Sequence, residues 1–277
     1  MKIAVISDIH SNLLAFNLAI QDARNESVDS FIFLGDYITD GENANEILNI
    51  IKQMSNYVIL GNREKYIINY SKEKKDYNNY KPISHTYHSL TLDNINYIKV
   101  LKNHMIVEFH NHKILIIHGD GYFNLPEINP LIFDSLISKY DFDICLFGHT
   151  HQYCCTKYRD KMFINPGSIG TPTDTPTYKY CIIEISDTIS VNLREFQVDD
   201  TFDELEKSYR NTNYYKENTA WAELILMGIR DGKDYCTPFI ELLNSKIKNS
   251  DVLEYNQFNN IWNDTYQEFI ERLSFNN

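Results

Sequence analysis

Short apolar runs alternate with amphipathic stretches along the first sixty residues. Residues 2–7 (KIAVIS), 30–35 (SFIFLG) and 56–61 (NYVILG) are nearly unbroken in apolar character, as strands covered on both faces are. Between them, 13–24 and 44–54 carry apolar positions at helical spacing. Strand, helix and strand in succession predict a parallel sheet built from βαβ units.

After Asn62 the pattern passes into Lys- and Tyr-rich helices through about Leu101. Residues 105–119 read as a hairpin turning at 110–112, and 131–139 as a helix leading to a strand at 142–148. Two further hairpins are predicted at 153–165, around Arg159-Asp160, and at 178–196, around Asp187. An α/β first half followed by antiparallel β predicts an α/β fold, a two-sheet sandwich flanked by helices. From about Asp199 the composition turns to acidic, aromatic helices, so a boundary is placed between 1–198 and a helical extension at 199–277. Within that extension Trp221, Leu224, Ile225 and Gly228 form a stripe too apolar to face water, which predicts packing on the body or in a dimer interface.

Polar clusters follow the apolar runs. Asp8 and His10 lie after the first, Gly35-Asp36 after the second, and Gly61-Asn62-Arg63-Glu64 after the third. His118 closes the first hairpin, and His149 and His151 follow the strand at 142–148. Ligands of α/β sheets bind at the carboxyl ends of strands, so seven side chains with oxygen or nitrogen donors converge on one edge. Singly each has an ordinary reading; Asp8 alone is equally a helix cap or turn residue. Mixed imidazole, carboxylate and amide donors suit Mn²⁺, Fe or Zn²⁺.

The ordered set DIH, GD, GNRE, HG and GHTH resembles the calcineurin-like metallophosphoesterase superfamily over residues 1 to about 198. The NPGSIG stretch at 165–170 and the helical tail are similar to a bacterial subgroup of phosphodiesterases and asymmetric diadenosine tetraphosphate hydrolases. The resemblance implies two divalent ions, one held by Asp8, His10, Asp36 and His151. The other is held by Asp36, Asn62, His118 and His149, with Asp36 bridging. It implies hydrolysis of phosphodiester or phosphoanhydride bonds in small, nucleotide-type substrates by a metal-bridging hydroxide. The alternative is a non-catalytic metal-binding scaffold, as in the retromer subunit of this fold.

Arg63 departs from the pattern, since the family commonly has a histidine there that protonates the leaving group. Arginine keeps its proton at working pH and cannot serve as a general acid. It either binds a phosphate oxygen, which makes it a candidate catalytic and substrate-binding residue, or only pairs with Glu64 or Asp40. Asn12 either binds phosphate or caps the first helix. His85 and His88, at helical i, i+3 spacing, are candidate substrate contacts or residues of a surface helix.

Charge and composition narrow the partners. With 26 Lys+Arg against 38 Asp+Glu the formal net charge is −12, which argues against a polynucleotide partner or a repair nuclease. No apolar run approaches the ~20 residues that span a bilayer. The amino-terminal residues lack a signal-peptide pattern, and the five cysteines form no CxxC pair, so a cytoplasmic address and no membrane partner are expected. A monomer and a homodimer are both compatible with the sequence.

Overall fold

The structure is a computed structural model that describes residues 1–73, 81–119, 121, 129–247 and 255–275. Four strands, β1 (Lys2–Ile6), β2 (Ser30–Phe33), β8 (Thr177–Ile185) and β9 (Ile189–Gln197), form one sheet in the order β2-β1-β8-β9. A second sheet has the order β3-β4-β5-β7-β6, from β3 (His104–Phe109), β4 (His112–Ile117), β5 (Ile144–Leu146), β6 (Tyr153–Tyr158) and β7 (Lys161–Pro166). β1 runs parallel to β2, and β5 is parallel to both β4 and β7; the remaining pairs are antiparallel. Mixed α/β layers of this kind match the predicted fold class.

Side-chain alternation explains the uniformly apolar strands. Ile3 and Val5 of β1 meet Ile114, Ile116, Ile144 and Ile164 in a layer between the sheets. Their neighbours Ala4 and Ile6 face the helices on the other side. In β4 the same period sends Leu115 and Ile117 outward to Phe133 and Leu136 of helix α6 (Pro130–Lys139). Both faces of each sheet are thus covered near the middle of the molecule.

Helices α1 (Leu13–Asn25), α2 (Ala44–Met54), α3 (Asn62–Glu73), α4 (Lys81–Ser89) and α5 (Leu92–Val100) lie on the β1 side. The predicted strand at 56–61 is reduced to isolated bridges, Phe33 with Val58 and Ile59 with Lys102. β2 ends at Phe33, so no ladder can extend further before the chain enters α3 at Asn62. The hairpin turn predicted at 110–112 is tighter: His110 and Asn111 take φ of +47° and +64°, and His112 already belongs to β4.

Beyond β9 follow α7 (Phe202–Arg210), α8 (Asn213–Glu217), α9 (Thr219–Asp231), α10 (Cys236–Ile247) and α11 (Tyr255–Phe275). Leu205, Tyr214, Leu224, Leu226, Phe239 and Trp262 join the hydrophobic cluster that holds Ile6, Phe16 and Ile47. Among the described residues no helix is long and apolar enough to cross a membrane.

Leu226, 2% exposed on α9, should cost about 2–5 kcal/mol when replaced by alanine, because the site cannot collapse fully. Leu131→Ala, at a position 76% exposed, should stay within about 0.5 kcal/mol of wild type in the same urea titration. Equal midpoints for the two variants would show that α9 contributes nothing to the cooperative fold.

Candidate metal centre

The polar residues that follow the strands meet at one end of the sandwich. Asp8 and Asp36 leave β1 and β2; Asn62 opens α3; His118 follows β4; His149 and His151 lie between β5 and β6. Asp8, His10 and His151 bring donor atoms within 4.8 Å of one another, as do Asp8, Asp36 and His118. Asp36 reaches both sides: Oδ2 lies 3.7 Å from His10 Nε2, and Oδ1 lies 3.5 Å from His118 Nε2. Asn62 Oδ1 is 3.0 Å from His118 Nε2 and 2.9 Å from His149 Nδ1.

Each of three imidazoles is oriented by its outer nitrogen. His10 Nδ1 donates to Asp40 Oδ2 at 2.8 Å, His118 Nδ1 to the Leu34 carbonyl at 2.8 Å, and His151 Nδ1 to the Thr171 carbonyl at 2.6 Å. Those oxygens can only accept, so each Nδ1 carries a proton and Nε2 is the nitrogen left to face inward, toward a proton or a cation. His10 Nε2 and His151 Nε2 then stand 3.2 Å apart, too close for two bare lone pairs. Such an approach requires a positive charge beside it, either a proton or a cation. Asp8 Oδ1 is buried with no hydrogen-bond partner, which makes the same demand. The donor set fits divalent cations.

The electrostatics agree. Burial pushes the Asp8 carboxyl up, but His151 and then His118 outweigh it and hold Asp8 at about 2. Burial also opposes ionisation of Asp36, yet His118, His10 and Arg63 keep it well below the usual carboxylate range. Burial alone would depress His118; Asp36 and Asp8 lift it to about 10. His151 is raised against burial by Asp8, whereas His149 is lowered by burial and by His118. A site that raises imidazole basicity in this way draws positive charge.

Local backbone geometry is strained to achieve this. Asp8, His10, Asp36, His149 and His151 all have φ between +47° and +72°, a region that costs non-glycine residues about 1–3 kcal/mol each. The turns are cross-tied: Ile9 and His10 N–H donate to the Asp36 carbonyl at 2.8 and 3.0 Å. Ser168 Oγ donates to the Asp8 carbonyl at 2.8 Å, and Asn165 Nδ2 to the Gly148 carbonyl at 2.9 Å. Two glycines are required by close approach. A Cβ on Gly61 would stand 2.1 Å from Asp36 Oδ1, and one on Gly148 would stand 2.0 Å from Ser7 Oγ.

Residues 1–188 match the family model of the calcineurin-like phosphoesterase superfamily domain. The chain belongs to this superfamily. It is 28% identical over 229 residues to an uncharacterized protein of Methanocaldococcus jannaschii, covering 74% of this chain and 92% of that one. It is 26% identical over 196 residues to a phosphodiesterase of the same organism, covering 70% and 98%. Two solved structures share the fold. A metallophosphoesterase from Sphaerobacter thermophilus has a TM-score of 0.60 at 22% identity, covering 79% of this chain and 98% of that one. A hypothetical protein from Pyrococcus horikoshii has a TM-score of 0.67 at 16% identity, covering 83% and 98%.

In this superfamily member the site opens into a cavity of about 450 Å³. Arg63 lies on its wall, with Nη2 3.5 Å from Asp40 Oδ2 and Nε 3.9 Å from Asp36 Oδ2. Glu64 does not pair with it. That carboxylate, fully buried, accepts the N–H groups of Asp36, Tyr37 and Gly61 at 2.8–3.0 Å and so collars the Asp36 turn. Burial and Asp36 raise Glu64 to about 7.

Three candidates lie elsewhere. Asn12 caps α1: its Oδ1 accepts from Ala15 N–H at 3.1 Å and its Nδ2 donates to the Gly170 carbonyl at 3.0 Å, so its amide is committed to structure. His85 sits between Glu217, at 2.7 Å, and Glu42, at 3.4 Å, and His88 packs against the rings of Tyr70 and Tyr87. Neither histidine is in the described lining of the cavity. Helical spacing put both on α4, but the spacing says nothing of which neighbour that helix faces.

Other lining residues escaped sequence reading. Leu224, Ile225, Gly228 and Ile229 of α9, with Lys233 to Thr237, also line the cavity. No motif marks them. The apolar stripe on α9 was the available signal, and it pointed to burial rather than to a ligand.

Gly148→Ala should destabilise the protein by about 1–3 kcal/mol, the usual range for overpacking, and should displace Asp8 as well. Thermal unfolding of the metal-free chain measures the first effect and Mn²⁺ titration the second. An alanine variant that matches wild type in both would mean that this contact is not tight in solution.

Proposed function

We propose that the protein is a dinuclear metal-dependent phosphoesterase that cleaves phosphodiester or phosphoanhydride bonds of small, nucleotide-sized substrates. The observation that carries this reading is the convergence of Asp8, His10, Asp36, Asn62, His118, His149 and His151 in one cluster, of which His10, Asp36, Asn62, His149 and His151 line the cavity. Asp8, His10, Asp36 and His151 would hold one ion, and Asp36, Asn62, His118 and His149 the other. Divalent ions supply charge neutralisation of phosphoryl oxygens and water acidic enough to provide a nucleophile near neutral pH. The phosphodiesterase relative supports a diester substrate, and a volume of about 450 Å³ suits a small molecule.

The chain's own residues would bind and orient. Arg63 presents a permanent cation to a non-bridging or remote phosphate oxygen and cannot hand a proton to the leaving oxygen. Substrates whose leaving group departs unaided are therefore favoured: nucleotides from anhydrides, and aryl oxides.

Binding is testable without substrate. Mn²⁺ at about 100 times its Kd should stabilise the wild-type chain by about 2.7 kcal/mol, read by thermal shift. Asp36→Asn should abolish most of that gain and nearly all turnover, since one carboxylate serves both ligand sets. An unchanged melting temperature with Mn²⁺, Fe²⁺ and Zn²⁺ alike contradicts the reading.

Leaving-group dependence tests Arg63. Aryl phosphodiesters and dinucleoside polyphosphates should outrun simple alkyl esters by more than their intrinsic reactivity predicts for an acid-assisted enzyme. General-acid assistance is worth roughly 10²–10⁴-fold. Arg63→His should accelerate alkyl substrates selectively, and Arg63→Ala should weaken multi-phosphate substrates most. A wild-type rate independent of leaving-group pKa, with chemistry rate-limiting, would assign the proton to another residue.

A further inference from the structure

Asp40 is 1% exposed, and five side chains converge on it, four of them on its carboxylate. Oδ2 accepts from His10 Nδ1 at 2.8 Å and from Thr39 Oγ1 at 3.0 Å, with Arg63 Nη2 at 3.5 Å. Oδ1 accepts from Trp221 Nε1 at 2.8 Å, and the Asp40 carbonyl accepts from the Tyr209 hydroxyl. Trp221 belongs to α9 and Tyr209 to α7, both outside the 1–188 stretch that matches the family model. The superfamily domain therefore does not supply these two contacts; the helical segment of this chain does.

An ionised carboxylate only accepts, so Asp40 keeps the His10 proton on Nδ1. His10 Nε2, the nitrogen left for a cation, then faces Asp36 Oδ2, 3.7 Å away, and Asp8 Oδ1, 4.0 Å away. Trp221 Nε1–H has a fixed direction, and by engaging the other oxygen it stops the carboxylate from rotating. We propose that Asp40 is a positioning residue that sets the tautomer and orientation of His10, and that Trp221 locks Asp40. Cation affinity at the centre then depends on the C-terminal helices.

This inference rests on the metal-binding reading above, and full-length protein separates the two. The primary measurement is calorimetric titration with Mn²⁺. The second is ¹⁵N-histidine NMR of the metal-free chain, which reports the tautomer and needs neither metal nor substrate. Wild type should bind Mn²⁺ and show His10 protonated on Nδ1. Asp40→Asn conserves shape and still accepts from Trp221, but turns an N–H toward His10 and drives the proton to Nε2. It should lose about 10- to 100-fold in Mn²⁺ affinity, with the two His10 nitrogen signals exchanged. Trp221→Phe keeps the ring and deletes the donor; its loss should be smaller, and the double variant should be no worse than Asp40→Asn alone.

Wild-type affinity in Asp40→Asn overturns the role of Asp40. Losses that multiply in the double variant show that Trp221 acts by packing alone, and overturn the lock. Should Asp40→Asn fail to fold, wild-type His10 protonated on Nε2, or unchanged affinity in Trp221→Phe, overturns the proposal. If wild type binds no Mn²⁺ at all, the metal-binding reading fails, while the tautomer spectrum still decides whether Asp40 orients His10.

Discussion

Two carboxylates that are almost wholly buried, Asp8 and Asp36, stand at adjacent strand ends and face the same small volume. Like charges in a medium poor in water cannot both stay ionised unless positive charge is brought to them. The other features of the site follow from this. Imidazoles ring the carboxylates with their outer nitrogens tied back, so that each inner nitrogen has one direction. The backbone accepts left-handed turns at five of the seven donor residues. Glycines at 61 and 148 leave room where a methyl group would collide. Glu64 spends its acceptors on three amides so that the Asp36 turn keeps its shape.

Much of this was legible because strand ends and chemistry coincide in the sequence. Apolar runs located β1, β2, β4 and β5, and the residues just past each run are the ones that meet. What could not be read depended on contacts between segments distant in sequence. The run at 56–61 has the composition of a strand, yet its partner β2 stops at Phe33, which leaves one bridge to Val58 in place of a ladder. His85 and His88 have helical spacing, but only tertiary packing decides that Glu42, Glu217 and two tyrosines receive them. Asp40 is one acidic residue among many until Trp221, 181 positions later, is folded against it.

Under the proposed function, Arg63 adapts the family framework without altering the seven-residue donor set. A histidine at position 63 would bring a titratable group to the cavity wall; the arginine brings a permanent charge and a neighbouring carboxylate to hold it. Burial lowers the tendency of Arg63 to stay charged, but Asp40 and Asp36 more than restore it. Under the proposed function the trade is proton donation for anion recognition. It is confined to one corner of the cavity, beside the wall that α9 supplies.

The site also straddles a seam. Asp8 and Asp36 hang from one sheet, His118 and His149 from the other, and the His118 Nδ1–H bond to the Leu34 carbonyl stitches the two together. Behind that stitch lies the layer of Ile3, Val5, Ile32, Ile114, Ile116, Ile144 and Ile164. Stacked sheets stand about 10 Å apart, a gap set by the bulk of the side chains between them. These aliphatic side chains therefore act as a spacer that gauges how far apart the two halves of the donor set are held. Thinning the layer by one methylene would shift the halves relative to each other without replacing any donor residue, so part of the chemistry of this site is written in hydrocarbon.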